Sequence, residues 1–255
     1  DNKRFVSIEE ITGYLNLNGL IEGVSTVKDD IKGLINIGLD IGVTDNRFKL
    51  NDKITDFIIP IKNVTKTSVT ELKDEIREEL KYLSHDYLSL VDLAYDSNQN
   101  RLFEIKTVEL FLDEYKFLGK HLGGSSKPDG IIYTNELDKN YGVIIDTKAY
   151  ASGYNLPIKQ ADEMERYIRE NQTRDKNVNP NKWWENFNND IGDFYFSFIS
   201  GHFIGNYESR IKRLYLSTGI NGKAIDIRLL LTTADKIIGG KVRKEELKDL
   251  LFISC

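Results

Sequence analysis

The sequence predicts an α/β protein with a mixed β-sheet flanked by helices, preceded by a small winged-helix subdomain. From residue 85 onward, short apolar segments typical of strands alternate with segments of helical periodicity, which is the pattern of an α/β domain. Before residue 64 the chain shows short helical segments followed by a hairpin pattern. We therefore expect a winged-helix subdomain at 1–64 and a larger α/β domain at 65–255.

Length, composition and cysteine content describe an ordinary globular chain. The 255 residues are 40% hydrophobic and 29% charged, a balance that argues against disorder. No apolar stretch approaches the roughly 18 residues that a membrane-spanning helix needs, so no membrane partner is expected. The single cysteine, Cys255, cannot form an internal disulfide, which fits a reducing compartment. We expect a cytoplasmic protein, and because the chain begins with Asp1 rather than methionine we expect a fragment or a processed product.

The charge balance bears on the possible partners. A formal net charge of −5 at pH 7 argues against a protein whose whole surface binds phosphate, because nucleic-acid-binding proteins usually have a basic balance. A localised basic face is compatible with this charge, and an active site built from carboxylates would itself add negative charge.

The amino-terminal segments predict the winged-helix subdomain. "SIEEITGYL" and "STVKDDIKGLINIGL" have helical spacing, and Ser25 is expected to start the second helix. "IGVTDNRFKLN" predicts a two-stranded wing with Asp45 and Asn46 in its turn. A helical lid without DNA contact fits the same pattern, so both interpretations stay open.

The larger domain is predicted to follow an exposed, salt-bridge-rich helix, "TELKDEIREELKYL". Its expected elements are a helix over 100–117, strands at 130–134 and 141–148, a helix from Pro157, a strand at 194–200, a helix near 209–216, a strand at 223–227 and two closing helices separated by Gly239 and Gly240.

Charged residues come together at the ends of two predicted strands, within "SKPDGIIYTNELDKNYGVIIDTK". Side chains alternate between the two faces of a strand, so Asp146 and Lys148 point to the same side. Asp129 precedes the neighbouring strand, and the short, turn-rich "NELDKN" allows the two strands to pair as a hairpin. We therefore expect Asp129, Asp146 and Lys148 to converge.

Two converging carboxylates predict a metal ion, because they repel each other unless a cation lies between them. Oxygen ligands favour Mg²⁺, and the backbone carbonyl of Thr147 is expected to be a third protein ligand beside Asp129 and Asp146. Such an ion and the Lys148 ammonium suit phosphodiester hydrolysis. The alternative is structural, since Pro-Asp-Gly is a common turn signal and an Asp-x-Lys at a strand end is often a solvated edge.

A wider pattern supports the catalytic interpretation. Four long, gapless stretches are distinctive: "GKHLGGSSKPDGIIYT", "IIDTKAYASGYNLPIKQADEMERYIRENQTR", "NPNKWWENF" and "SGHFIGNY". Through them the sequence resembles the PD-(D/E)xK nuclease superfamily, and specifically the FokI-type cleavage domain of type IIS restriction endonucleases. The resemblance continues through "HDYLSLVDLAYDSNQNRLFEIK" and "TDFIIPIKNVTK" and so covers nearly the whole chain.

The resemblance implies a restriction-endonuclease-like fold and a Mg²⁺-dependent DNA endonuclease from a bacterial cytoplasm. Asp129 and Asp146 match the metal-binding aspartates of the family, and Lys148 matches its catalytic lysine. Glu104, on the preceding helix, is either a water-mediated metal contact or an ordinary surface acid. His85, His121 and His202 have no recognised ligand spacing and are not expected to act in the chemistry.

The helix from Pro157 is predicted to bury one apolar face, formed by Ile158, Ala161, Met164 and Ile168. Asp162 and Arg166 lie four residues apart on the opposite face, where an intrahelical ion pair is one interpretation. In the FokI-type family the matching residues pair between two cleavage domains. The resemblance therefore implies a transient homodimer with Asp162 and Arg166 at its interface.

The expected partner is double-stranded DNA, read by recognition subdomains that lie upstream and are not in this chain. The 1–64 module resembles the last of those subdomains. Core or interface packing is the favoured interpretation of Trp183 and Trp184 over base stacking. Two alternatives remain: a repair or resolvase nuclease of the same fold, or a winged-helix DNA-binding protein whose nuclease-like domain is inert.

Overall fold

The structure is a computed structural model that describes residues 4–20, 23–36, 38–51, 68–134, 140–188 and 190–254. The chain divides into two compact units, Asp1–Thr65 and Lys66–Cys255. Each unit has its own hydrophobic core. No helix in the described ranges combines the length and the apolar character that crossing a membrane requires.

The smaller unit combines two helices with a three-stranded antiparallel sheet. Its elements are β1 (Val6–Ser7), α1 (Ile8–Leu17), α2 (Val24–Asn36), β2 (Ile41–Thr44) and β3 (Arg47–Leu50), with strand order β1-β3-β2. Ser7 caps α1 by accepting a hydrogen bond from the Glu10 amide. Asp45 and Asn46 have the positive φ values that a tight hairpin turn requires. The predicted wing is therefore confirmed, with β1 as an additional strand, and α2 starts one residue before Ser25.

The larger unit is built on a five-stranded mixed sheet. Its strands are β4 (Leu118–His121), β5 (Gly130–Tyr133), β6 (Tyr141–Lys148), β7 (Asp193–Ser200) and β8 (Gly222–Asp226), in the order β4-β5-β6-β7-β8. The β4-β5 and β5-β6 pairs are antiparallel, whereas β6-β7 and β7-β8 are parallel. The mixed α/β fold predicted from the sequence is confirmed.

Helices cover both faces of this sheet. They are α3 (Ser68–Glu79), α4 (Ser89–Ala94), α5 (Asn100–Asp113), α6 (Ile158–Thr173), α7 (Tyr207–Thr218), α8 (Ile227–Ile238) and α9 (Leu247–Leu251). Val143 and Ile145 of β6 belong to the core shared with α3, α4, α5, α8 and α9. Ile144, between them, belongs to the core shared with α6 and α7. Burial on both faces explains the continuous apolar run of β6.

Two sequence-based expectations for this unit were wrong. The helix predicted over 100–117 ends at Asp113, and the chain turns at Lys116, which has a φ of 59°, into β4. Strand β4 escaped prediction because it is four residues long, partly exposed and contains Gly119. Ile158, expected in the core, is 50% exposed because it is the first residue of α6, directly after the cap residue Pro157.

The predicted turn "NELDKN" at 135–140 lies outside the described residues except for Asn140. The stretch "TDFIIPIKNVTK" at 55–66, which includes the predicted domain boundary, also lies outside them.

Candidate active site

Strand β6 delivers two of the expected site residues at its carboxyl end. Asp146 pairs in register with Phe198 of β7, and Lys148 pairs with Ser200. The Ser200 hydroxyl also donates a hydrogen bond to the Lys148 carbonyl at 2.6 Å. Asp146 is buried despite its charge. The strand end is therefore rigid, and Asp146 and Lys148 share one face as the period of a strand demands.

Asp129 reaches the same place from the neighbouring strand. Gly130 pairs with Ile145 in the antiparallel β5-β6 ladder, which sets Asp129 beside Asp146. Its Oδ2 accepts a hydrogen bond from the Thr147 amide at 2.7 Å and one from the Thr147 hydroxyl at 3.2 Å. Gly130 is required here, since a Cβ would lie 2.6 Å from Cγ2 of Val108 on α5. Close approach of α5 to the sheet thus constrains the residue next to Asp129.

The Lys148 ammonium lies among the oxygen atoms of this cluster. Nζ donates to Oδ1 of Asp146 at 2.6 Å and to the Thr147 carbonyl at 3.1 Å. It lies 3.8 Å from Oδ2 of Asp129. All four residues expected at the site, Asp129, Asp146, Thr147 and Lys148, are thus within contact of one another.

The electrostatics of the cluster follow from its burial. Burial, together with the nearby Asp129 carboxylate, raises the pKa of Asp146 to about 7, although Lys148 works in the opposite direction. Burial works against the Lys148 ammonium, but the carboxylates of Asp146 and Asp129 outweigh it and raise the pKa of Lys148 to about 12. Lys148 therefore remains a cation, and the paired acids favour additional positive charge.

The donor set fits a small divalent cation. Asp129 and Asp146 supply carboxylate oxygens, and Thr147 supplies a carbonyl, which are the hard ligands that Mg²⁺ uses while keeping several waters. No group of three His, Cys, Asp or Glu side chains suited to a metal is found within the described ranges. An ion here would thus depend on two side chains, one carbonyl, water and substrate, rather than on a closed protein cage.

The other polar candidates have partners of their own. Glu104 lies 3.1 Å from Nε2 of His121 and 3.8 Å from Arg101, so its carboxylate contacts β4 and its own helix. His202 stacks on Tyr95, with ring centroids 5.5 Å apart, and His85 begins a short 3-10 turn. These contacts support structural roles.

The two residues expected at a dimer interface lie on α6 but do not contact each other. Asp162 forms an ion pair with Arg213 of α7. Arg166 lies 3.3 Å from Glu163 and 4.0 Å from Glu170, both on its own helix. The intrahelical Asp162–Arg166 ion pair that the spacing allowed is therefore not formed, and each residue pairs with another partner. On α7, Leu216 is 73% exposed.

Comparison with known proteins identifies the family to which this site belongs. Residues 66–254 match the family model described as "FokI, cleavage domain", and residues 1–46 match that of "FokI, D3 domain". The chain belongs to the FokI cleavage-domain family. It is 45% identical over 247 residues to the type II restriction enzyme FokI of Planomicrobium okeanokoites, covering 95% of this chain and 43% of that protein. It is 34% identical over 229 residues to the type II restriction enzyme StsI of Streptococcus sanguinis, covering 87% of this chain and 37% of that protein.

Solved structures of the family agree with the fold. The structure of restriction endonuclease FokI bound to DNA matches with a TM-score of 0.71 at 45% identity, over 96% of this chain and 44% of the other. A second structure of restriction endonuclease FokI matches with a TM-score of 0.70 at 45% identity, covering 96% of this chain and 43% of that chain. The chain thus spans less than half the length of the relatives that it matches.

This member of the FokI cleavage-domain family also contains buried polar residues near the site that the sequence did not reveal. Glu170, Asn179 and Tyr167 are all buried, and they contact the segment that leads into Asp129 or one another. The stretch "NPNKWW" could have indicated a buried position for Asn179, because this residue shortly precedes two tryptophans, which are themselves buried. Trp183 and Trp184 pack in the core against α6, as favoured from the sequence.

Proposed function

We propose that this chain is the cleavage portion of a type IIS restriction enzyme, a Mg²⁺-dependent endonuclease that hydrolyses DNA phosphodiester bonds outside its recognition site. The observation that carries the proposal is the convergence of Asp129, Asp146 and Lys148 in a chain of the FokI cleavage-domain family. Both curated relatives are named type II restriction enzymes. The shared activity in the names of both relatives favours a restriction enzyme over a repair or resolvase nuclease.

Each site residue has a distinct role in this proposal. Asp129, Asp146 and the Thr147 carbonyl would hold Mg²⁺, which when bound polarises a phosphoryl oxygen and lowers the pKa of a coordinated water. Lys148 acts as a hydrogen-bond donor, because its ammonium already donates to the Asp146 carboxylate and to the Thr147 carbonyl. Its ammonium orients the attacking water and offsets negative charge that develops on the phosphate. The products are 5′-phosphate and 3′-hydroxyl ends.

The proposed domain roles follow the family matches. Residues 65–255 form the cleavage domain, and residues 1–64 form a winged-helix-like linker or recognition subdomain. Double-stranded DNA is the proposed partner, because one of the similar FokI structures is bound to DNA. The chain spans 43% of the length of FokI, and we propose that subdomains other than the cleavage domain read the DNA sequence. The proposed location is the bacterial cytoplasm.

The experiment that tests this proposal is metal-dependent cutting of supercoiled plasmid DNA. We expect nicked and then linear DNA in the presence of Mg²⁺ and none after chelation with EDTA, because the paired acids need a divalent cation. Restoring Mg²⁺ in excess of the chelator restores cutting, which separates metal loss from damage to the protein. Complete absence of cutting at high protein concentration and saturating Mg²⁺ would favour the inert winged-helix alternative.

We also propose that the cleavage domain dimerises transiently on DNA through α6. One catalytic cluster performs one in-line displacement, so cutting both strands together calls for two clusters related by symmetry. Asp162 and Arg166 are the proposed interface residues. The surface-exposed pair of Asp162 with Arg213 is suited to exchanging partners, because an exposed pair contributes little to stability within one chain.

Arg166→Ala should reduce double-strand cutting more than it reduces nicking. Loss of an interface arginine commonly weakens association by on the order of 10-fold or more, whereas the ion pairs of Arg166 are with Glu163 and Glu170 and not with Asp129 or Asp146. The measurement is the ratio of linear to nicked plasmid across a range of protein concentrations. Arg77→Ala is the matched control, since Arg77 also forms an exposed intrahelical pair, with Asp74 on α3. An unchanged ratio in Arg166→Ala would remove Arg166 from the interface.

A further inference from the structure

The segment that leads into Asp129 is held by two side chains that are distant from it along the chain. Asn179 donates a hydrogen bond from Nδ2 to the Ser126 carbonyl at 2.9 Å. The hydroxyl of Tyr167 on α6 lies 2.9 Å from the Lys127 carbonyl, its nearer acceptor, and 3.1 Å from Oε1 of Glu163. Two successive carbonyls, three and two residues ahead of Asp129, are thus fixed from outside the segment.

These two side chains belong to a buried polar network. The Glu170 carboxylate accepts a hydrogen bond from Asn179 at 2.9 Å and one from the Trp183 indole at 2.7 Å. Glu170 and Asn179 are only 4% and 3% exposed. The Tyr167 ring packs edge-on against Trp183 with centroids 6.0 Å apart. A buried carboxylate is costly unless it is hydrogen-bonded, and here its two hydrogen bonds help to fix Asn179 and Trp183 beside the segment.

The backbone of the segment needs such external contacts. Ser126 has a φ of 62°, a left-handed conformation that a residue with a side chain adopts at a cost and keeps only when its surroundings hold it. Pro128 then fixes its own φ and has no N–H to donate. Consequently, hydrogen bonds to the carbonyls of Ser126 and Lys127 can set the direction in which the backbone enters Asp129.

We propose that Tyr167 and Asn179, with Glu170 supporting Asn179, are positioning residues that hold the Asp129 carboxylate in place for its divalent ion. The inference rests on the proposed function, because it takes Asp129 as a metal ligand. Tyr167 and Asn179 act through the backbone and do not contact the ion. Their loss should therefore weaken metal binding while leaving the chemical step intact once metal is saturating.

Tyr167→Phe is the sharpest test, because it removes the hydroxyl and keeps the ring that packs on Trp183. Tyr115→Phe is the matched control. Tyr115 is also buried and donates its hydroxyl to a backbone carbonyl, that of Leu230, at 2.6 Å, in a different core. Both variants lose a tyrosine-to-carbonyl hydrogen bond, and Tyr167→Phe also loses the contact of the hydroxyl with Glu163. Thermal unfolding of the two variants therefore measures their structural cost separately from Mn²⁺ binding.

The primary readout is Mn²⁺ binding to the full chain by calorimetry without DNA. We expect Tyr167→Phe to weaken Mn²⁺ affinity by about 3- to 10-fold, as loss of a supporting hydrogen bond around a metal ligand commonly does. Tyr115→Phe should bind Mn²⁺ like the wild type even where it unfolds at a lower temperature. In plasmid cutting, Tyr167→Phe should need more Mg²⁺ for half-maximal rate and reach the wild-type rate at saturating Mg²⁺.

Asn179→Ala provides a second test at the neighbouring carbonyl. Asn186→Ala is its control, because Asn186 donates to the Trp183 carbonyl at 2.8 Å without contacting the Asp129 segment. We expect weaker Mn²⁺ binding in Asn179→Ala only. Wild-type Mn²⁺ affinity in both Tyr167→Phe and Asn179→Ala would overturn the positioning role alone. A wild-type chain that neither binds Mn²⁺ nor cuts DNA would overturn the proposed function itself.

Discussion

Asp146→Asn should abolish DNA cleavage while the protein stays folded. The amide keeps the size of the carboxylate and can still accept a hydrogen bond from Lys148, which donates to Oδ1 of Asp146 at 2.6 Å. It cannot supply the anionic oxygen that a divalent ion needs. We expect the cutting rate to fall by at least about 10³-fold, because the interaction is made in the transition state.

The effect on stability should be small by comparison. The wild-type carboxylate is disfavoured by its own burial, which raises the pKa of Asp146 to about 7. Removing that charge offsets the loss of the ion pair with Lys148, so the free energy of unfolding should change by no more than about 1–2 kcal/mol. Plasmid nicking in Mg²⁺ and urea unfolding measure the two quantities. Asp193→Asn, at the exposed start of the adjacent strand β7, is the control and should cut normally. Cutting by Asp146→Asn at a rate near that of the wild type would exclude the proposed mechanism.

The cluster around Asp146 was predictable because its geometry is local. Strand β6 is a continuous apolar run ending in Asp-Thr-Lys, and the alternation of side chains along a strand fixes Asp146 and Lys148 on one face. The neighbouring strand is joined to β6 by a short connection, so antiparallel pairing brings Asp129 beside them. Each of these inferences rests on the two-residue period of a strand or on the short separation of the two strands along the chain.

Contacts between elements that are distant in the chain were less predictable. Spacing on α6 suggested that Asp162 pairs with Arg166, yet its partner is Arg213, 51 residues away on the adjacent helix α7. Helical spacing defines which residues share a face, but the packing of a second helix decides which charges meet. The roles of Tyr167 and Asn179 were missed for the same reason, since their backbone partners lie 40 and 53 residues away.

Strand β4 shows a different limit of sequence analysis. Its four residues alternate between exposed and half-buried and include a glycine, so no periodic apolar signal distinguishes them from a loop. The requirement at Gly119 appears only in the sheet, where a Cβ would lie 2.2 Å from the carbonyl oxygen of Ile131.

Among the variants considered, Asp235→Ala should cause the largest loss of stability, without loss of catalysis in the molecules that remain folded. One oxygen of this buried side chain accepts hydrogen bonds from three successive backbone amides, those of Lys81, Tyr82 and Leu83, at 2.7, 2.6 and 2.9 Å. The contacts join α8 to the segment that follows α3. Alanine leaves all three donors without this acceptor, so we expect the free energy of unfolding to fall by about 3–5 kcal/mol.

The dependence on pH distinguishes this charge effect from a loss of packing. Burial opposes the charge of Asp235, but the three backbone donors outweigh it and lower the pKa of this carboxyl below its ordinary 3.8. Because the folded pKa is the lower one, the stabilisation is fully present above the unfolded value and is lost as pH falls through the folded value. Urea unfolding should therefore show a large gap between wild type and Asp235→Ala at pH 7 that narrows below about pH 4. Asp235→Asn, which keeps one neutral acceptor, should lose about half as much stability as the alanine variant. Equal stability of wild type and Asp235→Ala at pH 7 would show that these three hydrogen bonds do not hold α8 to the segment after α3.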